Sequence, residues 1–305
     1  MKASLSLDLD NKWSYLKTHG DDAWQSMPSY LDVVVPTALE MLERLRLRIT
    51  FFIVGQDAAM PQHDEVLGEI PRRGHEVGNH SHYHEPWMHK RDEDAIEEEL
   101  ARAEESIERA TGVRPRGFRG PGFVRSASIL DTLVRRGYEY DASSLPTFIG
   151  PLARAYYFRS TKLASADAAQ RTDLFGKFAD GFRPNRPYRI TTGSGSIAEI
   201  PVTTFPVFRV PIHISYVLYI ATVSPKAALA YFRAALAACK LTRTQPSILL
   251  HPLDFIGAED APELAFFPAM QMNGETKRHV VNESLRLLGK SFDVRPLREV
   301  LAPAV

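Results

Sequence analysis

Hydrophobic and polar positions along the first half of the chain switch between two periods. Residues 4–9 alternate polar and apolar, which predicts a strand. After Pro36, an apolar stripe at Leu39, Leu42 and Leu45 has helical spacing, and Pro36 predicts the helix start because its missing N–H is one of the unpaired donors of a first turn. Residues 49–54 are an unbroken β-branched and aromatic run closed by Gly55, the pattern of a strand buried on both faces. A helix over 64–73 stopped by Gly74, then a short strand over 75–79, continue the alternation. Residues 92–110 carry the strongest helical signal: Asp92 as N-cap, acidic residues in the first turns, Ile96, Leu100, Ala103 and Ile107 on one face, and Gly112 just past the end. A strand at 117–119, a helix over 126–136 stopped by Gly137, and a strand at 138–141 follow.

Between 145 and about 200 the pattern loosens around Pro146, Pro151, Pro184 and Pro187, which predicts an irregular insertion packed on the same domain. Alternation returns with a helix over 224–241, a strand over 247–251, a helix over 275–288 and a last strand near 292–294. Strands alternating with helices predict one α/β domain over 1–305 with a parallel sheet and right-handed crossovers.

Composition narrows the chemistry. With 305 residues, 44% hydrophobic and 24% charged, the chain is an ordinary globular one. Lys+Arg 37 balances Asp+Glu 37, which excludes a global field drawing nucleic acid to the surface. The single cysteine, Cys239, excludes a disulfide framework and a thiolate zinc cluster, so a tightly held metal must use His and carboxylate ligands. The most apolar stretch, residues 211–223, is well short of the ~20 residues of a membrane helix. The N-terminus has no apolar run of signal-peptide length, and a cytoplasmic location is the resulting expectation.

Five constellations fall at the ends of predicted strands. Asp8 and Asp10 are two apart, so both carboxylates project from one strand face, a costly pairing unless a cation lies between them or one is protonated. The same pair could cap a solvated strand end, or hold magnesium in a glycosyltransferase. His80, His82 and His84 sit within five residues; one helical turn would bring His80 and His84 to one side, as a divalent-ion site requires, with His82 opposite and structural. Arg119 ends a strand before the turn Gly120-Pro121-Gly122-Phe123 and could hold a carboxylate bidentately. Asp141, followed by Ser143 and Ser144, ends another, and His251 ends the apolar run 248–250. The C-terminal ends of parallel strands are where α/β barrels assemble active sites.

In order and spacing, Asp8-x-Asp10, His80-x-x-x-His84, Arg119-x-Pro121-x-Phe123, Asp141 and Leu250-His251-Pro252 resemble the motifs of the polysaccharide deacetylases, the NodB-homology or carbohydrate esterase 4 family. The resemblance implies a distorted (β/α)7 TIM-like barrel and a metal-dependent hydrolase that removes an acetyl or formyl group from an N-acylated amino sugar in a glycan or lipid-linked precursor. It implies that Asp10, His80 and His84 hold a divalent metal, usually zinc, and that Asp8 is the base toward water activated by the metal. Arg119 would position Asp8, His251 would protonate the leaving amine, and Asp141 would orient His251 and hold it charged. A backbone N–H near Phe123 would share the oxyanion, and Trp87 is a candidate pocket wall. The first motif departs from the common family form, which has adjacent Asp residues; here Leu9 separates them and Asn11 follows. The spaced form is similar to a subgroup of peptidoglycan-deacetylase-like proteins, allantoinase-like hydrolases and aminosugar deformylases. A cyclic amide or imide hydrolase on the same site, and a metal-binding pseudoenzyme or carbohydrate-binding module, are therefore the rival readings. The aromatic runs 156–158, 211–216 and 266–267 would suit a sugar, a lipid tail or the face of a homodimer.

Overall fold

The computed structural model describes residues 1–160 and 176–301. Its strands are β1 (Lys2–Leu9), β2 (Thr50–Ile53), β3 (Glu76–Asn79), β4 (Gly117–Phe118), β5 (Tyr140–Asp141), β6 (Tyr188–Thr192), β7 (Gly195–Glu199), β8 (Ser247–Leu250) and β9 (Asp293–Arg295). The principal helices are α1 (Lys12–His19), α2 (Leu31–Leu45), α3 (Gly55–Ala58), α4 (Asp64–Arg72), α5 (Glu93–Thr111), α6 (Ala127–Arg135), α7 (Gly150–Ser160), α8 (Ile214–Ala221), α9 (Pro225–Leu241), α10 (Gly274–Ser291) and α11 (Leu297–Leu301). Seven strands run parallel in the order β7-β5-β4-β3-β2-β1-β8, with β6 antiparallel on the outside of β7 and β9 parallel to the start of β1.

This is the barrel expected from the sequence, with a ladder that stays open between β7 and β8. The chain beyond β7 spans that gap: Thr203 N–H donates to the Ser247 carbonyl at 2.8 Å, and Ser247 N–H donates to Thr203 Oγ1 at 2.8 Å.

The period-two pattern of β1 sorts its side chains between two buried faces. Ala3, Leu5, Leu7 and Leu9 join the cluster packed under α2, α9 and α10, while Ser4, Ser6 and Asp8 point the other way, into the barrel. Register puts Asp8 beside Phe52 and Phe52 beside Gly78, and places Gly117 beside Tyr140. These two glycines make room for the interior rings: a Cβ on Gly78 would lie 2.5 Å from Phe52, and one on Gly117 would lie 2.0 Å from Tyr140 Cζ. Phe52 and Tyr140 pack with Ala142, Ala198, Ile200 and, from α11, Leu297.

α5 matches its sequence signals. Asp92 accepts from Ala95 N–H at 2.9 Å, Gly112 closes the helix at φ 72°, and Ile96, Leu100, Ala103 and Ile107 are buried. Burial of each large side chain of that stripe stabilises by roughly 1.5–3 kcal/mol.

Elsewhere the chain differs from expectation. α2 begins at Leu31, five residues before Pro36, because Val34 and Val35 extend its buried stripe and Tyr30 supplies the first carbonyl, to Val34 N–H at 2.9 Å. Pro36 and Asp32, whose carbonyl loses its partner to the ring, both face solvent. Within 145–200 lie α7 and the hairpin β6–β7, and β7 is a full member of the parallel order; residues 161–175 of this stretch lie outside the described residues. No helix among the described residues is long and apolar enough to cross a membrane.

Candidate active site

β1 ends at Leu9, so Asp10 is the first residue free to turn over the barrel mouth. Its Oδ1 lies 3.1 Å from His80 Nε2 and 3.0 Å from His84 Nε2, and the three ligand atoms lie within 4.8 Å of one another. All three residues are buried. His80 follows β3 directly, and its Nδ1–H donates to the Arg119 carbonyl at 2.6 Å, which turns the lone pair of Nε2 toward Asp10. Asp10 Oδ1 accepts no hydrogen bond although it is fully shielded from solvent. Burial pushes the Asp10 carboxyl up, but His84 and His80 outweigh it and hold the group well below the usual carboxylate range.

The loop delivering His84 is not the helical turn that the four-residue spacing suggests. Ser81 and His84 both have left-handed backbone, φ 61° and 51°. Glu99, on the buried face of α5, holds the loop in that shape: its Oε1 accepts from His82 N–H at 3.0 Å and from Tyr83 N–H at 2.8 Å. Ser81 Oγ accepts from His84 N–H at 3.2 Å. His82 faces away from the cluster; burial, with help from Arg102, lowers it to about 4, so it is neutral and structural.

Beside the triad, Asp8 is paired with Arg119, whose Nη1 donates to Asp8 Oδ1 at 2.6 Å and to Ser6 Oγ at 2.8 Å. Arg119 Nε donates to the Ala142 carbonyl at 2.9 Å, and its guanidinium lies 4.4 Å over the Phe52 ring. The arginine is completely buried, so these bonds are what make its charge tolerable there.

The expected Asp141–His251 pairing gives way to two separate networks, because β5 sits between β4 and β7 whereas β8 lies beside β1. Asp141 Oδ1 accepts from Ser143 Oγ at 2.5 Å, and Ser143 Oγ accepts from Gly120 N–H at 2.8 Å. Its register neighbour Glu199 is pushed well above the carboxylate range, by burial first and then by the Asp141 charge. Arg125 Nη1 lies 2.9 Å from Glu199 Oε2. His251, partly open to solvent, has its Nδ1 2.9 Å from Ser215 Oγ, which donates to Asp254 Oδ1 at 2.7 Å; Asp254 Oδ2 accepts from His251 N–H at 2.8 Å. Glu199, Ser215 and Asp254 were not marked in the sequence. Asp254 alone carried a local signal, three residues after His251 in the spacing of a capping side chain.

The remaining candidates are less central. Phe123 is half-buried at φ 62°, and its N–H donates to the Gly120 carbonyl at 2.9 Å, so that amide already closes a turn. Trp87 is half-buried at the start of the short turn Met88–Lys90. Phe267 packs edge-on at 5.0 Å against Tyr15, whose hydroxyl feels the Asp10 charge, so the 266–267 pair borders the site. The side chains of Tyr156 and Tyr157 lie outside the described residues. Cys239 is buried in α9, and burial pushes its thiol up to about 12, which keeps it inert.

Residues 21–140 match the family model described as polysaccharide deacetylase, a range that holds His80, His84 and Arg119. The chain is 34% identical over 114 residues to the uncharacterized protein YlxY of Bacillus subtilis, covering 37% of this chain and 33% of that protein. It is 30% identical over 86 residues to a peptidoglycan-N-acetylglucosamine deacetylase of Bacillus cereus, covering 28% and 30%. The matches thus span about a third of these curated relatives. A crystal structure from Mycobacterium smegmatis assigned to the polysaccharide deacetylases superposes with a TM-score of 0.64 at 21% identity, covering 98% of this chain and 88% of that one, which shows a shared fold.

Proposed function

We propose that the chain, whose residues 21–140 match the polysaccharide deacetylase family model, hydrolyses an amide bond, removing an acyl group from an N-acylated amino sugar of a glycan or lipid-linked precursor. The observation that carries this reading is the meeting of Asp10 Oδ1 with two imidazole Nε2 atoms beside a separately held carboxylate, Asp8. Two neutral imidazoles and one carboxylate are the donor set of zinc and similar divalent ions, and the unpartnered Asp10 Oδ1 is the atom such an ion would satisfy. Asp10, His80 and His84 would hold the ion, whose chemistry is to polarise the acyl carbonyl and make water more acidic.

The chain's own residues would do the rest. Asp8 accepts the proton of the attacking water, and Arg119 fixes the direction in which its carboxylate points. His251 has Nδ1 engaged by Ser215, so Nε2 is the nitrogen that delivers a proton to the departing amine. A base and an acid on separate residues give a bell-shaped pH profile.

The test is metal content by elemental analysis on native protein, chelator-stripped protein and His84→Ala, followed by acetate and formate release from acetylated, formylated and cyclic amides. About one ion per chain, absent from the variant, together with metal-restored acyl release, is the expected result. Protein that binds no ion after reconstitution and releases no acyl group would refute the reading.

A further inference from the structure

We infer that Ser215 and Asp254 form a relay that orients His251 and fixes its tautomer, taking the place expected of Asp141; its catalytic consequence rests on the hydrolase reading above. The argument is one of donors and acceptors. Burial raises the Asp254 carboxyl, and the His251 charge, the bonds from His251 N–H and Ser215 and the Lys277 charge oppose that; as a carboxylate it can only accept. It accepts twice: from Ser215 Oγ at 2.7 Å through Oδ1, and from His251 N–H at 2.8 Å through Oδ2. The single hydroxyl proton of Ser215 is therefore directed at Asp254. What Ser215 offers to His251 Nδ1, 2.9 Å away, is a lone pair. Nδ1 must carry the ring proton, and Nε2 is left as the exchanging nitrogen.

The relay is braced from behind. Lys277, wholly buried on α10, donates through Nζ to the carbonyls of Leu253 at 2.7 Å and Ile256 at 2.8 Å, on either side of Asp254. Ser215 sits in the first turn of α8, one residue into the helix, so its backbone is equally fixed. On the other side, the His213 ring lies 6.3 Å from that of His251, and burial, reinforced by His251, lowers His213 to about 3. His213 is thus neutral and does not compete for the relay. α8 supplies the contact to the imidazole nitrogen, the turn after β8 supplies the carboxylate behind it, and α10 holds that turn. The bonds of Ser215 and Asp254 run to each other and to His251, so they act through that imidazole as positioning residues.

The test is a pair of readouts on the full chain. Nitrogen-15 imidazole NMR of wild type should show His251 as the Nδ1–H tautomer, and Ser215→Ala should mix or invert it. On an N-acetylglucosamine oligomer, Ser215→Ala should lower kcat about 10- to 100-fold at unchanged KM, less than the full ~10²–10⁴-fold of general acid catalysis because His251 itself remains. On 4-nitrophenyl acetate, whose leaving group needs no proton, the same variant should stay within about two-fold of wild type, because only proton delivery is impaired. Ser215→Thr, which keeps the hydroxyl, should restore both the tautomer and the amide rate. An unchanged tautomer in Ser215→Ala, or equal losses on both substrates, would overturn the relay. Wild type inactive on every amide would sink the hydrolase reading instead, and the NMR result would still decide for or against the relay.

Discussion

Glu99→Ala removes the one carboxylate that shapes the loop carrying His84. In the native protein Glu99 Oε1 receives two backbone N–H groups, from His82 and Tyr83, and hydrogen bonds to a charged group stabilise by about 1.5–3 kcal/mol each. Alanine leaves both donors without that acceptor, one of them on the buried His82. The expected loss of stability is therefore about 3–6 kcal/mol, less whatever water entering the loop restores. Ser81 and His84 hold left-handed backbone that ordinary residues leave readily, so the loop should relax and His84 Nε2 should move away from Asp10 Oδ1. By the scale of outer-shell substitutions in metal sites, affinity for a divalent ion should fall about 10- to 100-fold. Glu99→Gln keeps the oxygen and loses the charge, and should fall between the two. Urea denaturation gives the stability, and competition against a fluorescent zinc chelator gives the affinity. Wild-type affinity in a folded Glu99→Ala protein would refute the claim that this side chain holds the loop.

Arg119→Met strands a buried Asp8 and should cost about 3–5 kcal/mol in denaturant unfolding, with amide hydrolysis reduced at least 100-fold at unchanged metal stoichiometry. Lys277 is lowered by burial from its ordinary 10.5 to about 8, so the unfolded chain binds its proton more tightly than the folded one between those values. Its contribution should be fully present above pH 10.5 and lost as pH falls through 8; relative to Lys277→Met, wild type should lose up to about 3 kcal/mol over that window in pH-dependent unfolding. Gly117→Ala places a methyl against the Tyr140 ring inside the barrel and should destabilise by about 1–3 kcal/mol, read as a lowered Tm.

Elements with one strong local signal were legible in the sequence. The alternation in β1, the apolar run of β2 and the capped stripe of α5 each state their own structure, and a parallel α/β sheet follows from their order, whereas the barrel came from the family resemblance. The residues of the triad and Arg119 were legible because strand ends concentrate chemistry. What escaped depends on distant neighbours. β7 falls in the stretch 145–200 whose pattern loosens, and it shows as a strand only through its pairing with β5, since Gly195 and Ser196 are exposed and only its last three residues are buried. Pro36 looked like a helix start because the favourable first-turn position is local information, whereas the solvent exposure that tolerates it deeper in α2 is not. The partners of His251 were hidden for the same reason: Ser215 is 36 residues away and sits in an apolar run.

The buried arginine has a kinetic meaning as well. Arg119 bonds to Ser6 and Asp8, separated from it by 113 and 111 residues, and to Ala142 beyond β5, so it joins one side of the barrel to the other through the middle. Those bonds cannot exist while the sheet is still flat, and contacts across such long sequence separations form late because the intervening chain must first be ordered. Strand pairing and helix docking can therefore be complete in a refolding chain that has no oriented base. Recovery of hydrolysis after dilution from denaturant should lag behind recovery of secondary structure, which would make activity a timer for the moment the sheet curls around Arg119.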